Sequence, residues 1–173
     1  FRAQGVTIPT LREVLETFSG TPLIIEIKQT EPPIEEDLAR LLHETGSEPR
    51  ALVFSLEQGP LDRYRALGGV HPTGFGPGDV AEFMRRLGSG AWDGYRPPAA
   101  AFAVPVRWRG TQIVSAAFTD TAHALGCEVF VWTINEPRAM HALLDLGADG
   151  LISDYPERLR QVVAERARGR PGS

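Results

Sequence analysis

The sequence predicts an α/β fold built on a parallel sheet with barrel-type units, and three observations predict it. Strand-like apolar runs alternate with amphipathic helix-like runs along most of the 173 residues, the pattern of βαβ units around parallel strands. Gly147 separates a helix from the strand after it, and the polar residues Asn135 and Asp154 stand directly behind strands, as in barrel units. Neither a dinucleotide fingerprint nor a P-loop occurs, which argues against a nucleotide-binding doubly wound sheet.

The elements follow in order. Thr10-Leu11-Arg12-Glu13 is a capping box that starts a helix reaching about Phe18, with Pro9 discouraging an earlier start. Leu23–Lys28 is a strand whose first three residues suit burial on both faces. Pro32-Pro33 opens a long helix in which Ile34, Leu38, Leu41 and Leu42 recur at helical spacing. Ala51–Ser55 is the next strand, and a short helix passes through Leu61, Tyr64 and Leu67. Val70–Phe75 is a weak strand and Asp79–Leu87 a helix. Gly88–Gly110 is rich in Gly, Pro and Ala; Ala99–Val106 within it is either a strand or a loop. Phe118–Leu125 is a helix stopped by Gly126, and Cys127–Ile134 is a strand. Asn135 caps a helix over 136–146 with Pro137 in its first turn. Gly150–Ser153 is a short last strand, Pro156–Arg166 the last helix, and residues 167–173 form a tail.

A chain of this length can bury a core. Hydrophobic residues at 42% and charged residues at 23% are those of a soluble globular protein. The net charge of -4 offers no basic surface for nucleic acid or an acidic membrane face. No apolar run of about 18 residues exists to form a transmembrane helix. The single cysteine, Cys127, excludes an internal disulfide framework and a multi-cysteine metal site; a buried, small apolar role fits it.

Leu23-Ile24-Ile25-Glu26-Ile27-Lys28 carries the chemistry. Period-two alternation puts Glu26 and Lys28 on one side of the strand. They stand at its carboxyl end, where parallel α/β folds place ligands. Glu26 is then a metal ligand or an acid/base, and Lys28 an anion contact. The plainer alternative is a partly exposed ion pair, worth about 0–1 kcal/mol.

Five segments taken together resemble the glycerophosphodiester phosphodiesterase family. They are Ile8–Leu15, Leu23–Lys28, Val53–Leu56, Val131–Pro137 and Gly147–Pro156, in the family's order and spacing. The resemblance covers the C-terminal two-thirds of such an enzyme. It implies a (β/α)8 barrel of the TIM type, here an incomplete one lacking the first strands. It implies hydrolysis of glycerophosphodiesters to glycerol 3-phosphate and an alcohol. By the same resemblance, Glu26 is one carboxylate ligand of a divalent cation, Ca2+ or Mg2+, for which oxygen ligands suit. Lys28 balances the phosphodiester charge, Trp132 walls the pocket, and Ser55 hydrogen-bonds at the barrel mouth beside Leu56. Trp132 equally suits a filler of the barrel interior.

The family's His-Arg-Gly at the first strand, Glu-x-Asp at the second and His near the third have no counterpart in the strands of this sequence. His43, His123 and His141 fall in predicted helices, and His71 near a strand start. A barrel of this type takes about 250 residues, so the chain, which opens on Phe1, is expected to be a fragment: residues 1–166 a partial barrel and 167–173 a tail. The alternatives are a non-catalytic binding module derived from the barrel, and a phospholipase D-like or phosphoinositide-specific enzyme.

Overall fold

The computed structural model describes residue 5 and residues 7–68 and 72–169. The chain divides into two compact units, Phe1–Gly76 and Pro77–Ser173.

In the first unit, α1 (Leu11–Thr17) begins at Thr10, whose hydroxyl accepts from the Glu13 N–H. The Glu13 carboxylate accepts from the Thr10 N–H in return, completing the expected capping box. Those bonds hold the Glu13 carboxyl below its usual range. Then come β1 (Leu23–Glu26), α2 (Glu35–Glu44), β2 (Ala51–Phe54) and α3 (Gln58–Ala66). β1 and β2 pair in parallel, Leu23 opposite Ala51 and Glu26 opposite Phe54. Ala51, Val53 and Ile27 form a core with Leu15, Leu38, Leu42 and Tyr64, against which Leu23 and Ile25 pack. Alternation therefore turns Ile24 and Glu26 to the other face.

Three expectations shift here. β1 is not buried on both faces: Ile24 is 36% exposed, and Leu23 and Ile25 are half-buried. The reason is that β2 is the strand's sole sheet neighbour among the described residues. The weak strand at 70–75 reduces to isolated bridge residues at Thr73 and Gly74, Thr73 bridging to Val53; Val70 and His71 lie outside the described residues. α2 starts at Glu35 rather than at Ile34, which is its N-cap and makes no side-chain cap bond.

The second unit contains α4 (Pro77–Ser89), β3 (Ala101–Pro105), β4 (Arg107–Trp108), β5 (Thr111–Gln112), α5 (Ala116–Ala124), β6 (Glu128–Trp132), α6 (Pro137–Asp145), β7 (Gly150–Leu151) and α7 (Pro156–Gly169). β3, β6 and β7 form one parallel sheet in that order, and β4 and β5 a separate antiparallel hairpin. The undecided stretch at 99–106 is thus a strand, and the hairpin rises from what composition marked as irregular. Edge-to-face contacts join the rings of Phe83, Phe102 and Phe118.

Gly150 lies opposite Phe130. A Cβ there would fall 2.5 Å from the Phe130 ring, so only glycine lets β7 approach β6. Cys127 is buried just before β6, and burial pushes its thiol up, which suits the small apolar role expected. α7 continues to Gly169, past the expected end at Arg166. No described helix is long and apolar enough to cross a membrane.

Candidate active site

Glu26 closes β1 and Lys28 follows two residues on. The Lys28 ammonium lies 2.8 Å from a Glu26 carboxylate oxygen, with side chains 75% and 22% exposed respectively. Alternation has produced an ion pair at the strand's carboxyl end. Its contribution to stability is small, about 0–1 kcal/mol.

Ser55 stands one residue beyond β2 and is buried. Its hydroxyl donates to the Ile27 carbonyl at 2.7 Å and accepts from the Glu57 N–H at 3.1 Å. The Ile27 N–H donates to the Phe54 carbonyl at 2.8 Å. The residue between Glu26 and Lys28 is therefore pinned on both its backbone groups.

The loop beyond Lys28 is also fixed, by residues that the sequence reading missed. Gln29 donates to the Pro32 carbonyl at 2.7 Å. Arg63 on α3 donates to the Thr30 carbonyl at 3.2 Å and to the Glu35 carboxylate at 2.8 Å. Glu35 is 2% exposed. In sequence it looks like any acidic residue in a first helical turn, and nothing marks its burial.

In the second unit, Trp132 closes β6 opposite Pro105 of β3. Its indole N–H is buried and has no hydrogen-bond partner among the described residues. Asn135 corrects an expectation: it does not cap α6, whose N-cap is Glu136. Its side chain crosses to the end of β7. There it accepts from the Ser153 hydroxyl at 3.1 Å and the Asp154 N–H at 3.0 Å, and donates to the Asp154 carboxylate at 3.0 Å. An Asn in the third position after a strand can reach the neighbouring strand's loop, and that reach overrides the cap. The structure thus brings Glu26, Lys28 and Ser55 together in one unit and places Trp132 in the other.

The described histidines lie on helices, as expected, and His71 lies outside the described residues. His43 in α2 pairs with Glu48 at 3.1 Å, His123 in α5 with Asp149 at 2.8 Å, and His141 in α6 with Glu165 at 3.4 Å. Asp149 also accepts from the Val129 N–H at 2.7 Å, near the start of β6 and away from Trp132. Among the described residues no three His, Cys, Asp or Glu side chains gather to hold a metal ion. Glu26 is one carboxylate, already paired with Lys28. These residues do not by themselves fit a bound divalent cation, which takes six or more oxygens, mostly from several protein groups or waters.

Comparison with known proteins finds one family repeatedly. The model of the glycerophosphoryl diester phosphodiesterase family matches residues 84–158. A Mycobacterium tuberculosis protein described as "Probable glycerophosphodiester phosphodiesterase 2" is 30% identical over 167 residues, covering 94% of this chain and 62% of the relative. The chain is similar to glycerophosphodiester phosphodiesterases over most of its length. A Rattus norvegicus protein, "Lysophospholipase D GDPD1", is 23% identical over 177 residues, covering 90% of the chain and 56% of that relative. Among solved structures, an Oleispira antarctica phosphodiesterase in complex with the product sn-glycerol-3-phosphate superposes with a TM-score of 0.70 at 24% identity, covering 91% of this chain and 62% of that one. This likeness shows the fold. The chain spans about three-fifths of the length of these relatives.

Proposed function

We propose that this chain is the larger part of a phosphodiesterase that hydrolyses glycerophosphodiesters to glycerol 3-phosphate and an alcohol. The observation that carries the reading is the Glu26–Lys28 pair, held at the carboxyl end of a parallel strand in a chain similar to that family. On this reading the fold is an incomplete (β/α)8 barrel lacking its first strands. Residues 1–166 form the barrel part and 167–173 a tail.

In the reaction, water adds to phosphorus, the P–O bond to the alcohol breaks, and the departing oxygen takes up a proton. Lys28 lies beside the phosphoryl oxygens, where charge develops. Two unit charges about 4 Å apart interact by about 4 kcal/mol at an effective dielectric near 20, so an aimed ammonium lowers the barrier. Ser55 and the Ile27 backbone hold Lys28 in register. The resemblance assigns Trp132 to a pocket wall, and its buried indole N–H has no partner among the described residues. The resemblance assigns Glu26 to a Ca2+ or Mg2+ site. The described residues do not complete such a site. On this reading His43, His123 and His141 pair with the carboxylates of Glu48, Asp149 and Glu165 and are not assigned proton transfer.

The test is a titration with sn-glycerol 3-phosphate followed by NMR. Shifts at Lys28 and the residues beside it, lost in Lys28→Met, support the reading; shifts confined to residues away from Lys28 refute it. Assay of the chain on glycerophosphocholine with Ca2+ or Mg2+ is expected to show no turnover. Turnover abolished by Glu26→Ala would overturn the claim that the chain is incomplete. The resemblance to a lysophospholipase D favours a lysophospholipid as a second substrate class.

A further inference from the structure

The β4–β5 hairpin is an exposed segment that follows the carboxyl end of β3. All six residues from Arg107 to Gln112 are exposed, and Trp108 is 50% exposed. The hairpin starts two residues after Pro105, which pairs with Trp132. It therefore rises beside the carboxyl end of β6, next to the proposed pocket wall.

The hairpin is firmly built. Arg107 pairs with Gln112 and Trp108 with Thr111. The Ile113 N–H donates to the Val106 carbonyl at 3.0 Å, while Ile113 and Val114 are buried beneath. The Arg107 guanidinium donates to the Gly110 carbonyl and the Gln112 side chain, both at 2.9 Å. The two loop residues, Arg109 and Gly110, have φ of 47° and 86°, the mark of a type I′ turn. Arg109 is the one non-glycine residue at positive φ among the described residues. Asn or Gly fits that position at lower cost, so local folding does not account for the arginine. Its guanidinium lies 5.9 Å from the Trp108 ring centroid.

Charge gives the partner. The chain as a whole is acidic, yet from Gly94 to Thr119 it has no Asp or Glu, and Arg96, Arg107 and Arg109 fall within that stretch. The overall net charge hides this local sign. Trp sits at the headgroup level of lipid surfaces, and guanidinium groups bind phosphate oxygens in a fork.

We propose that the Arg107–Gln112 hairpin docks the protein on anionic phospholipid surfaces, Trp108 entering the headgroup layer and Arg107 and Arg109 contacting lipid phosphates. This goes beyond the hydrolytic reading and stands on the hairpin alone. It would bring a lipid-borne phosphodiester to the strand end carrying Trp132.

The test is vesicle flotation of the 173-residue chain with phosphatidylcholine vesicles and with mixed phosphatidylcholine–phosphatidylglycerol vesicles. The expected result is flotation with the anionic vesicles only, reversed by high salt. Arg109→Asn, which preserves the turn, lowers the partition coefficient about fivefold while its melting temperature stays equal or rises. Trp108→Ala lowers partition as well. No flotation of the parent chain, equal flotation with neutral vesicles, or undiminished partition of a folded Arg109→Asn variant each overturns the proposal. The readout is partition rather than turnover, so failure here leaves the hydrolytic reading standing, and the reverse also holds.

Discussion

The buried carboxylate of Glu35 accepts a hydrogen bond at 2.8 Å from Arg63, which also holds the Thr30 carbonyl at 3.2 Å. One guanidinium thus braces α2 and the loop beyond Lys28 against α3. Burial pushes the Glu35 carboxyl up, but the Arg63 hydrogen bond and charge, with backbone donors at Ile34 and Glu35, more than offset this, and the net shift is downward. A carboxyl lowered in the folded state contributes stability that is present above its unfolded value and lost as pH falls through its folded value. Arg63→Met removes the partner and should cost about 1–3 kcal/mol at neutral pH. The gap in melting temperature between parent and variant should narrow as pH drops through the acid range. An equal gap at all pH values would show that the pair is not coupled to folding.

Ser55→Ala leaves the Ile27 carbonyl and the Glu57 N–H each short of a partner. Loss of about 1–3 kcal/mol is expected, since buried polar groups are left unsatisfied. Amide hydrogen exchange should speed up locally at Ile27 and Lys28. Faster exchange spread evenly over the first unit would instead indicate loss of global stability only.

Asn135→Asp exchanges the donor facing the Asp154 carboxylate for a second negative charge. It should destabilise more than Asn135→Leu at neutral pH, by about 1 kcal/mol or more. The excess should fade at acid pH as one of the two carboxylates takes up a proton. Thermal melts of the two variants at neutral and acid pH decide this.

Lys28→Met should change stability by less than about 1 kcal/mol, because the pair with Glu26 is largely solvated. In a protein that contains the whole site, the same change should cut hydrolysis about 10²-fold or more. A large loss of stability would recast the pair as structural.

Much of this architecture was legible in the chain. Thr10 and Glu13 announced their capping box because it is local in sequence, and Glu26 with Lys28 was visible because strand alternation is also local. β3 was half-hidden: Ala101-Phe102-Ala103-Val104-Pro105 has small residues where β-branched ones would signal a strand, and its place beside β6 is fixed by packing. Arg63 and Glu35 were invisible as partners, 28 residues apart and outwardly ordinary on their own helices. Asn135 was misread because a cap is judged from the next four residues, while its real partners lie on another strand's loop. Trp108 passed unremarked because the net charge of the whole chain conceals an acid-free stretch.

β1 has one neighbour in its sheet among the described residues, and its second edge carries the backbone donors and acceptors of Leu23–Glu26. Such an edge can be extended by another polypeptide through strand addition. A strand added there would project every second side chain onto the face of Ile24 and Glu26. Side chains on that face of an added strand would lie beside Ile24 and Glu26.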